Sequence, residues 1–213
     1  MNKINYAKKT QLTIEKIKRE QAVPSLLLHS CCAPCSSACL EYLSRYFNIT
    51  VFYYNPNISP EEEFEKRFAE QIRLINEMPF KNEVKIIKGN YNYSDFLEIA
   101  KGLENAREGG ERCFKCYRLR LEKAAAVAKE NGFDYFCTTL SISPLKNAQE
   151  INRIGLEIAE KYGVSWLESD FKKNEGYKRS IELSREYSLY RQNFCGCAFS
   201  KAQSEKKEAN ADE

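Results

Sequence analysis

Short apolar, β-branched or aromatic runs alternate with longer stretches of helical periodicity from Ser25 to about Arg191, and nothing else in the chain restricts its fold as tightly. Ser25–His29 (SLLLH), Asn48–Tyr54 (NITVFYY), Glu83–Lys88 (EVKIIK), Phe133–Leu140 (FDYFCTTL) and Val164–Glu168 read as strands. Between them, Ser36–Tyr46, Glu61–Met78, Ser94–Glu104 with Ser94 as N-cap, Arg112–Asn131 closed by Gly132, and Asn147–Tyr162 read as helices, with a last helical stretch leading towards Arg191. Strand, helix and strand in succession form a parallel sheet, because right-handed crossovers lay each helix over it. The pattern predicts an α/β fold: a Rossmann-like open sandwich, mostly parallel, with helices on both faces. Ligands of such sheets bind beyond the carboxyl ends of the strands, where strand order reverses. The segment that follows the first strand is CCAPC, residues 31–35.

A chain of 213 residues buries one core comfortably and two with difficulty. The expected organisation is a basic arm over residues 1–22, one catalytic domain over 23–200, and a polar tail over 201–213 whose composition predicts disorder. No apolar run reaches the roughly 20 residues of a membrane span, and the first residues lack the apolar core of a secretory signal, so a cytoplasmic location and no membrane partner are expected. Net charge is only +3, which announces no nucleic-acid field. The basic residues are nevertheless grouped: Lys115, Arg118, Arg120 and Lys123 follow Cys113, and Lys172, Lys173, Lys178, Arg179, Arg185 and Arg191 lead to Cys195. They read either as solvated helix faces or as a rim for a phosphate-bearing substrate.

Seven of the nine cysteines fall into three groups: Cys31, Cys32 and Cys35; Cys113 and Cys116; Cys195 and Cys197. In a reducing compartment such groups serve metals or redox chemistry more often than structural disulfides. The loop after the first strand contains no glycine to cradle phosphate and offers thiols instead. Cys31 and Cys32 together with the C-x-x-C of Cys113 and Cys116 make four thiolates, enough for a 4Fe-4S cluster or a structural zinc. Their expected place at the ligand edge of the sheet favours the cluster; the bland alternative is a pair of small buried hydrophobes. Cys35 is read as a ligand of a second metal, a free thiol, or the start of the helix. Cys195-Gly196-Cys197 closes a ring so tight that a disulfide there would be strained and labile, and it reads as a redox pair, as further metal ligands, or as packing. Cys39 and Cys137 sit at core positions of a helix and a strand. His29, the sole histidine, reads as a structural hydrogen-bonding residue.

Four ordered motifs, YNPNISPEEEFEKR, RCFKCYRLRLEKAA, TTLSISPLKN and YRQNFCGC, resemble the epoxyqueuosine reductase QueH family, and the resemblance runs from about Leu26 to Ser200. It implies a fold related to the adenine nucleotide alpha hydrolases and the last step of queuosine biosynthesis, deoxygenation of epoxyqueuosine in tRNA. It further implies that Cys31, Cys32, Cys113 and Cys116 hold a 4Fe-4S cluster, that Cys195 and Cys197 form a redox-active disulfide, and that a second, mononuclear iron lies nearby, for which Cys35 is the nearest untaken thiol. The partners implied are tRNA containing epoxyqueuosine and an electron donor whose identity the motifs do not give. Tyr53, Tyr54, Tyr117 and Tyr190 are available to stack on a base, although tyrosines at such positions more often belong to core or rim. Two other functions compete: a zinc-binding adaptor without catalytic activity, and an ATP-dependent tRNA thiolation enzyme of related fold, against which the glycine-free loop argues.

Overall fold

The computed structural model describes residues 4–192 and 194–209. Five strands, β1 (Ser25–His29), β2 (Asn48–Tyr53), β3 (Val84–Lys88), β4 (Tyr135–Thr138) and β5 (Ser165–Trp166), form one sheet in the order β3-β2-β1-β4-β5. Every pairing is parallel, with Leu28 opposite Val51 on one side and Cys137 on the other. β1 is central, which explains its run of leucines: Leu26, Leu27, Leu28 and His29 are all fully buried. The order reverses between β1 and β4, so the loops that follow these two strands open on the same crevice.

The helices are α1 (Tyr6–Arg19), α2 (Ala33–Leu43), α3 (Glu61–Glu77), α4 (Tyr93–Ala100), α5 (Glu111–Glu130), α6 (Ala148–Tyr162), α7 (Gly176–Glu186) and α8 (Ala198–Ala209). α5 lies over β1 and β4 and packs on α6, while α2 packs against α3 and α7. Gly155 makes one of these approaches possible: a Cβ there would stand 2.3 Å from the Trp166 ring, so any side chain would lift α6 off β5. None of the described helices is long and apolar enough to cross a membrane.

Several elements differ from expectation for identifiable reasons. The basic arm contains a docked helix, α1, capped by the Asn5 side chain and burying Tyr6, Thr10, Ile14 and Ile17 as one stripe. Thr10 Oγ1 donates to Glu168 O at 2.7 Å and ties it to the loop after β5. α2 begins at Ala33 rather than Ser36, because Pro34 suits a first turn and Cys32 is extended. Cys35 is thereby inside the helix. α4 is capped by Asn92 and not Ser94, whose N–H donates to Asn92 Oδ1. β4 stops at Thr138, whose hydroxyl accepts from Leu140 N–H and starts a 3-10 turn over Thr139–Ile142. The first part of the tail, expected to be disordered, continues α8 to Ala209. It is anchored by Phe199 against Phe96 and by Gln203 Oε1, which accepts from Glu108 N–H at 3.1 Å. The rest of that expectation, residues 210–213, lies outside the described residues.

Candidate active site

The loop after β1 is pinned on both sides. Ser30 N–H donates to Phe52 O at 3.1 Å, and Ser30 O accepts from Asn55 Nδ2 at 2.8 Å. From α3, Gln71 Oε1 accepts the hydroxyls of Ser30 and Ser36, both at 2.9 Å. The segment between these anchors turns Cys31, Cys32 and Cys35 inward until their sulfur atoms lie within 4.8 Å of one another. Cys31 Sγ and Cys32 Sγ are 3.8 Å apart. Thiols this close share protons: hydrogen bonds from Cys32 and Cys35 hold Cys31 well below the usual thiol range, and donating to Cys31, together with burial, pushes the other two up.

The opposite wall is the start of α5. Cys113 Sγ accepts from Gly109 N–H at 3.2 Å, and Cys116 Sγ accepts from Arg120 Nη1 at 3.8 Å. Burial raises both thiols. Arg120 is 1% exposed, so it belongs to no surface rim. One turn after Cys116 it points inward, donates to Asn55 Oδ1 at 2.9 Å, and faces the sulfur atoms of Cys116, Cys31 and Cys195 together. Among the other basic residues before Cys195, Lys172 pairs with Asp170, Lys178 with Glu175 and Arg179 with Glu41. Ion pairs, that of Lys172 largely buried and that of Lys178 exposed, account for these, while Arg191 lines the cavity beside the thiols.

The third group closes the site. Gly196 has φ of +114°, and a Cβ on it would meet Ile58 at 2.9 Å and Arg67 Nη1 at 3.0 Å, so glycine is required on two counts. Arg67, itself buried, donates to Cys195 O at 3.2 Å and to Glu63 at 2.7 Å. Cys195 N–H donates to Ser200 Oγ, which in turn donates to Glu108. Lys146 Nζ lies 3.1 Å from Cys195 Sγ.

A cavity of about 290 Å³ is lined by Cys31, Cys32, Cys35, Lys146 and Cys195; a neighbouring void of about 20 Å³ is lined by Cys113, Cys116, Cys195 and Cys197. Cys195 is in both walls. The structure thus brings the three cysteine groups to one place, with Cys35 beside the adjacent pair and Cys113 and Cys116 grouped with Cys195 and Cys197. All nine cysteines are free thiols. Cys39 and Cys137 are core residues whose thiols donate to Cys35 O and Leu167 O. A larger cavity, about 430 Å³ between α1, α2 and α7, contains Cys39 alone of the nine. Tyr53 and Tyr117 are buried, while Tyr190 is partly buried, donates to Glu63 and has Lys66 Nζ 3.6 Å over its ring, so one of its faces is taken. Tyr54 is also buried and donates to Asp95.

Residue reading did not single out Lys146, Arg67, Gln71 or Glu108. Lys146 lies within the motif TTLSISPLKN and Arg67 ends the motif YNPNISPEEEFEKR, which was the signal available for both. Gln71 and Glu108 carry no pattern that distinguishes them from surface residues.

His29 is fully buried, with Nδ1 2.8 Å from Thr138 Oγ1 and Nε2 3.0 Å from Tyr54 O. Burial, with Arg120 close by, brings its pKa down to about 3 and keeps the ring neutral. An unfolded imidazole titrates near 6.5, so the stability this neutral ring represents is complete above that pH and lost as pH falls towards 3. At about 1.4 kcal/mol per pH unit, urea unfolding at pH 5 should show a loss of about 2 kcal/mol relative to neutral pH. A His29→Gln variant should lack that part of the slope; an identical slope in the variant would contradict the assignment.

Comparison with known proteins bears on the whole domain. A family model described as epoxyqueuosine reductase QueH matches residues 26–203. The chain is 44% identical over 201 residues to an epoxyqueuosine reductase QueH of Staphylococcus epidermidis, covering 92% of this chain and 84% of that one. It is 35% identical over 191 residues to the protein of the same description from Thermotoga maritima, covering 87% and 94% respectively. Among solved structures, the U34-tRNA thiolase NcsA from Methanococcus maripaludis, described with its [4Fe-4S] cluster, superposes with a TM-score of 0.51 at 13% identity, over 92% of this chain and 68% of that one. That likeness is one of fold.

Proposed function

This chain belongs to the epoxyqueuosine reductase QueH family, and from that premise we propose that it removes the epoxide oxygen of epoxyqueuosine in tRNA to give queuosine. The observation that carries the reading is the convergence of three cysteine groups on Cys195 at the reversal point of the sheet. Loss of an epoxide oxygen as water consumes two electrons and two protons. Oxidation of the Cys195 and Cys197 dithiol to a disulfide releases the same number of each, so the pair balances the reaction, and an external electron donor restores it.

The donor set fits an iron-sulfur group. Soft thiols exceed what one ion needs, and buried donors near them, Arg67 Nη2 and Gln71 Nε2, have no protein partner, as expected beside an anionic group. Cys31 and Cys32 with Cys113 and Cys116 would hold a 4Fe-4S cluster, and Cys35 would serve a second, mononuclear iron. When bound, the cluster supplies one-electron transfer. The chain's own contribution is to offset thiolate charge through Arg120 and Arg67, and to give a small, walled space to the substrate. At about 290 Å³ the cavity is at the lower limit of ligand pockets and admits a single base swung out of its strand rather than a duplex. A tRNA substrate supports a cytoplasmic location for the reaction.

Protein purified without oxygen, loaded with iron and sulfide, and mixed with a reductant and tRNA bearing epoxyqueuosine should yield queuosine, read by mass spectrometry of the nucleosides. A broad visible absorption that bleaches on reduction should accompany it. One observation favours a second reading: three sulfur atoms within 4.8 Å of one another suit a single tetrahedral ion. A colourless, zinc-loaded protein without turnover would establish that adaptor and remove the reductase.

A further inference from the structure

Ser143, Pro144, Leu145 and Lys146 join the 3-10 turn to α6 and border the cavity that also holds Cys31, Cys32, Cys35 and Cys195. Lys146 N–H donates to Ser143 O at 3.2 Å, which closes a β-turn with Pro144 at its second position, where a φ fixed by the proline ring is wanted. The Ser143 hydroxyl accepts from Leu145 N–H at 3.3 Å. Both ends of the turn are tied down: Ser143 N–H donates to Leu140 O at 3.3 Å, Lys146 Nζ lies 3.1 Å from Cys195 Sγ, and Asn147 caps α6 through the N–H groups of Gln149 and Glu150. Leu145 is therefore held in one place before any ligand arrives. It is 70% exposed, the most of any large apolar side chain among the described residues. A fixed apolar group in water gains free energy from whatever covers it.

The same cavity is bordered by Tyr177 of α7 and by Arg191 and Gln192 in the segment after it. Arg191 is exposed; its Nη1 donates to Ser184 Oγ and its Nη2 to the Tyr177 hydroxyl, both at 3.4 Å, and its guanidinium lies 6.0 Å from the centre of the Tyr177 ring. These partners are neutral, and no carboxylate pairs with Arg191 among the described residues. Lys172, Lys178 and Arg179, by contrast, all carry ion pairs. Arg191 is thus a steadied cation whose charge is free, which suits a phosphate. Gln192 Oε1 is buried without a partner, an acceptor of the kind that reads the edge of a base.

We propose that Leu145 is a wedge for RNA: as the target base turns into the cavity, the leucine side chain takes its place between the neighbouring bases, while Arg191 holds the phosphate backbone beside it. The inference rests on the reading of this cavity as the site of a base drawn from tRNA. A base that leaves its stack exposes the faces of its neighbours, and an apolar side chain inserted there offsets the loss. A leucine on a closed turn gives up little freedom in doing so. A protein partner fits the surface less well. Protein interfaces form around a contiguous apolar core, and none of the other exposed large apolar residues, Ile4, Leu12, Val23, Ile87, Leu97 and Leu156, borders this cavity.

The test uses the iron-loaded protein and a stem-loop RNA bearing epoxyqueuosine, with 2-aminopurine, a base whose fluorescence rises on unstacking, as the adjoining nucleotide. Without reductant, wild-type protein should brighten this RNA on binding. Leu145→Ser should leave it dim and weaken binding about tenfold, the scale of covering much of one leucine side chain. Leu145→Met, apolar and of similar volume, should keep most of both signals. Because Leu145 is exposed, both variants should retain wild-type iron content and thermal unfolding. Arg191→Gln should lower the slope of log affinity against log salt by about 0.7, the value of one single-strand phosphate contact, and Leu145→Ser should not. Equal brightening by wild type and Leu145→Ser would overturn the wedge, as would wild-type RNA affinity in Leu145→Ser with slower turnover, the pattern of a docking site for the electron donor. An unchanged salt slope in Arg191→Gln would overturn the phosphate contact. Wild-type protein that brightens the RNA yet forms no queuosine once reductant is added would overturn the reductase reading and leave the wedge standing.

Discussion

Cys195→Ser and Cys197→Ser will each lower epoxide reduction by at least about a thousandfold, the scale on which removal of one member of a catalytic unit acts, and will leave the iron and sulfide content unchanged. A hydroxyl cannot enter a disulfide, so on the proposed role of the pair neither variant releases the electrons that the substrate requires. Apart from the Lys146 contact with Cys195 Sγ at 3.1 Å, the fold around the pair is held by other groups. The backbone at Gly196 is held by Ser59 N–H donating to Gly196 O at 3.0 Å and by Arg67 on Cys195 O. Ser200 continues to accept from the N–H of residue 195. In Cys197→Ser the smaller oxygen still accepts from Ser200 N–H, the contact that Cys197 Sγ makes at 3.3 Å. The measurement is nucleoside mass spectrometry beside iron and sulfide determination on the same preparation. Loss of iron from either variant would turn these residues into ligands, and full turnover would remove them from the chemistry.

Serine at Cys31, Cys32, Cys113 or Cys116 should have the opposite signature, loss of cluster iron and of the visible absorption together with turnover. Turnover should fall by more than the 10- to 100-fold, roughly, that follows loss of a group merely supporting a ligand. Serine at Cys39 or Cys137 should retain both properties, because these thiols are core donors to backbone carbonyls, a role a hydroxyl can take over. The informative comparison is between Cys35 and the α5 pair. If Cys113→Ser and Cys116→Ser keep full iron while Cys35→Ser loses it, the sulfur atoms gathered within 4.8 Å are the ligands and the four-thiolate assignment fails.

The alternation of strands and helices was legible because it rests on local periodicity: five apolar runs became five parallel strands in an open sheet. Its errors were also local in kind. Pro34 moved the start of α2 to Ala33, and the Thr138 hydroxyl ended β4 by capping a 3-10 turn. The stripe of Tyr6, Thr10, Ile14 and Ile17 was present in the arm but was outweighed by its lysines, which leave the helix on the solvent side. Polar composition predicted a disordered tail and could not show the two side chains that anchor α8, Phe199 just before the tail and Gln203 within it.

The chain's own order of residues determined the fold class, the position of CCAPC after the central strand, and the identity of the thiols, since each follows from spacing within a short segment. Which thiols meet was decided by tertiary structure alone. Cys35 joins Cys31 and Cys32 because α2 starts early, and Cys195 reaches both the CCAPC cavity and the Cys113–Cys116 void because parallel crossovers return distant segments to one sheet edge. The same return brings Lys146 to Cys195 and turns Arg120 inward among the thiols. Charge is compensated there across segments far apart in the chain, and a pattern read within one segment carries no record of the partner it will face once buried.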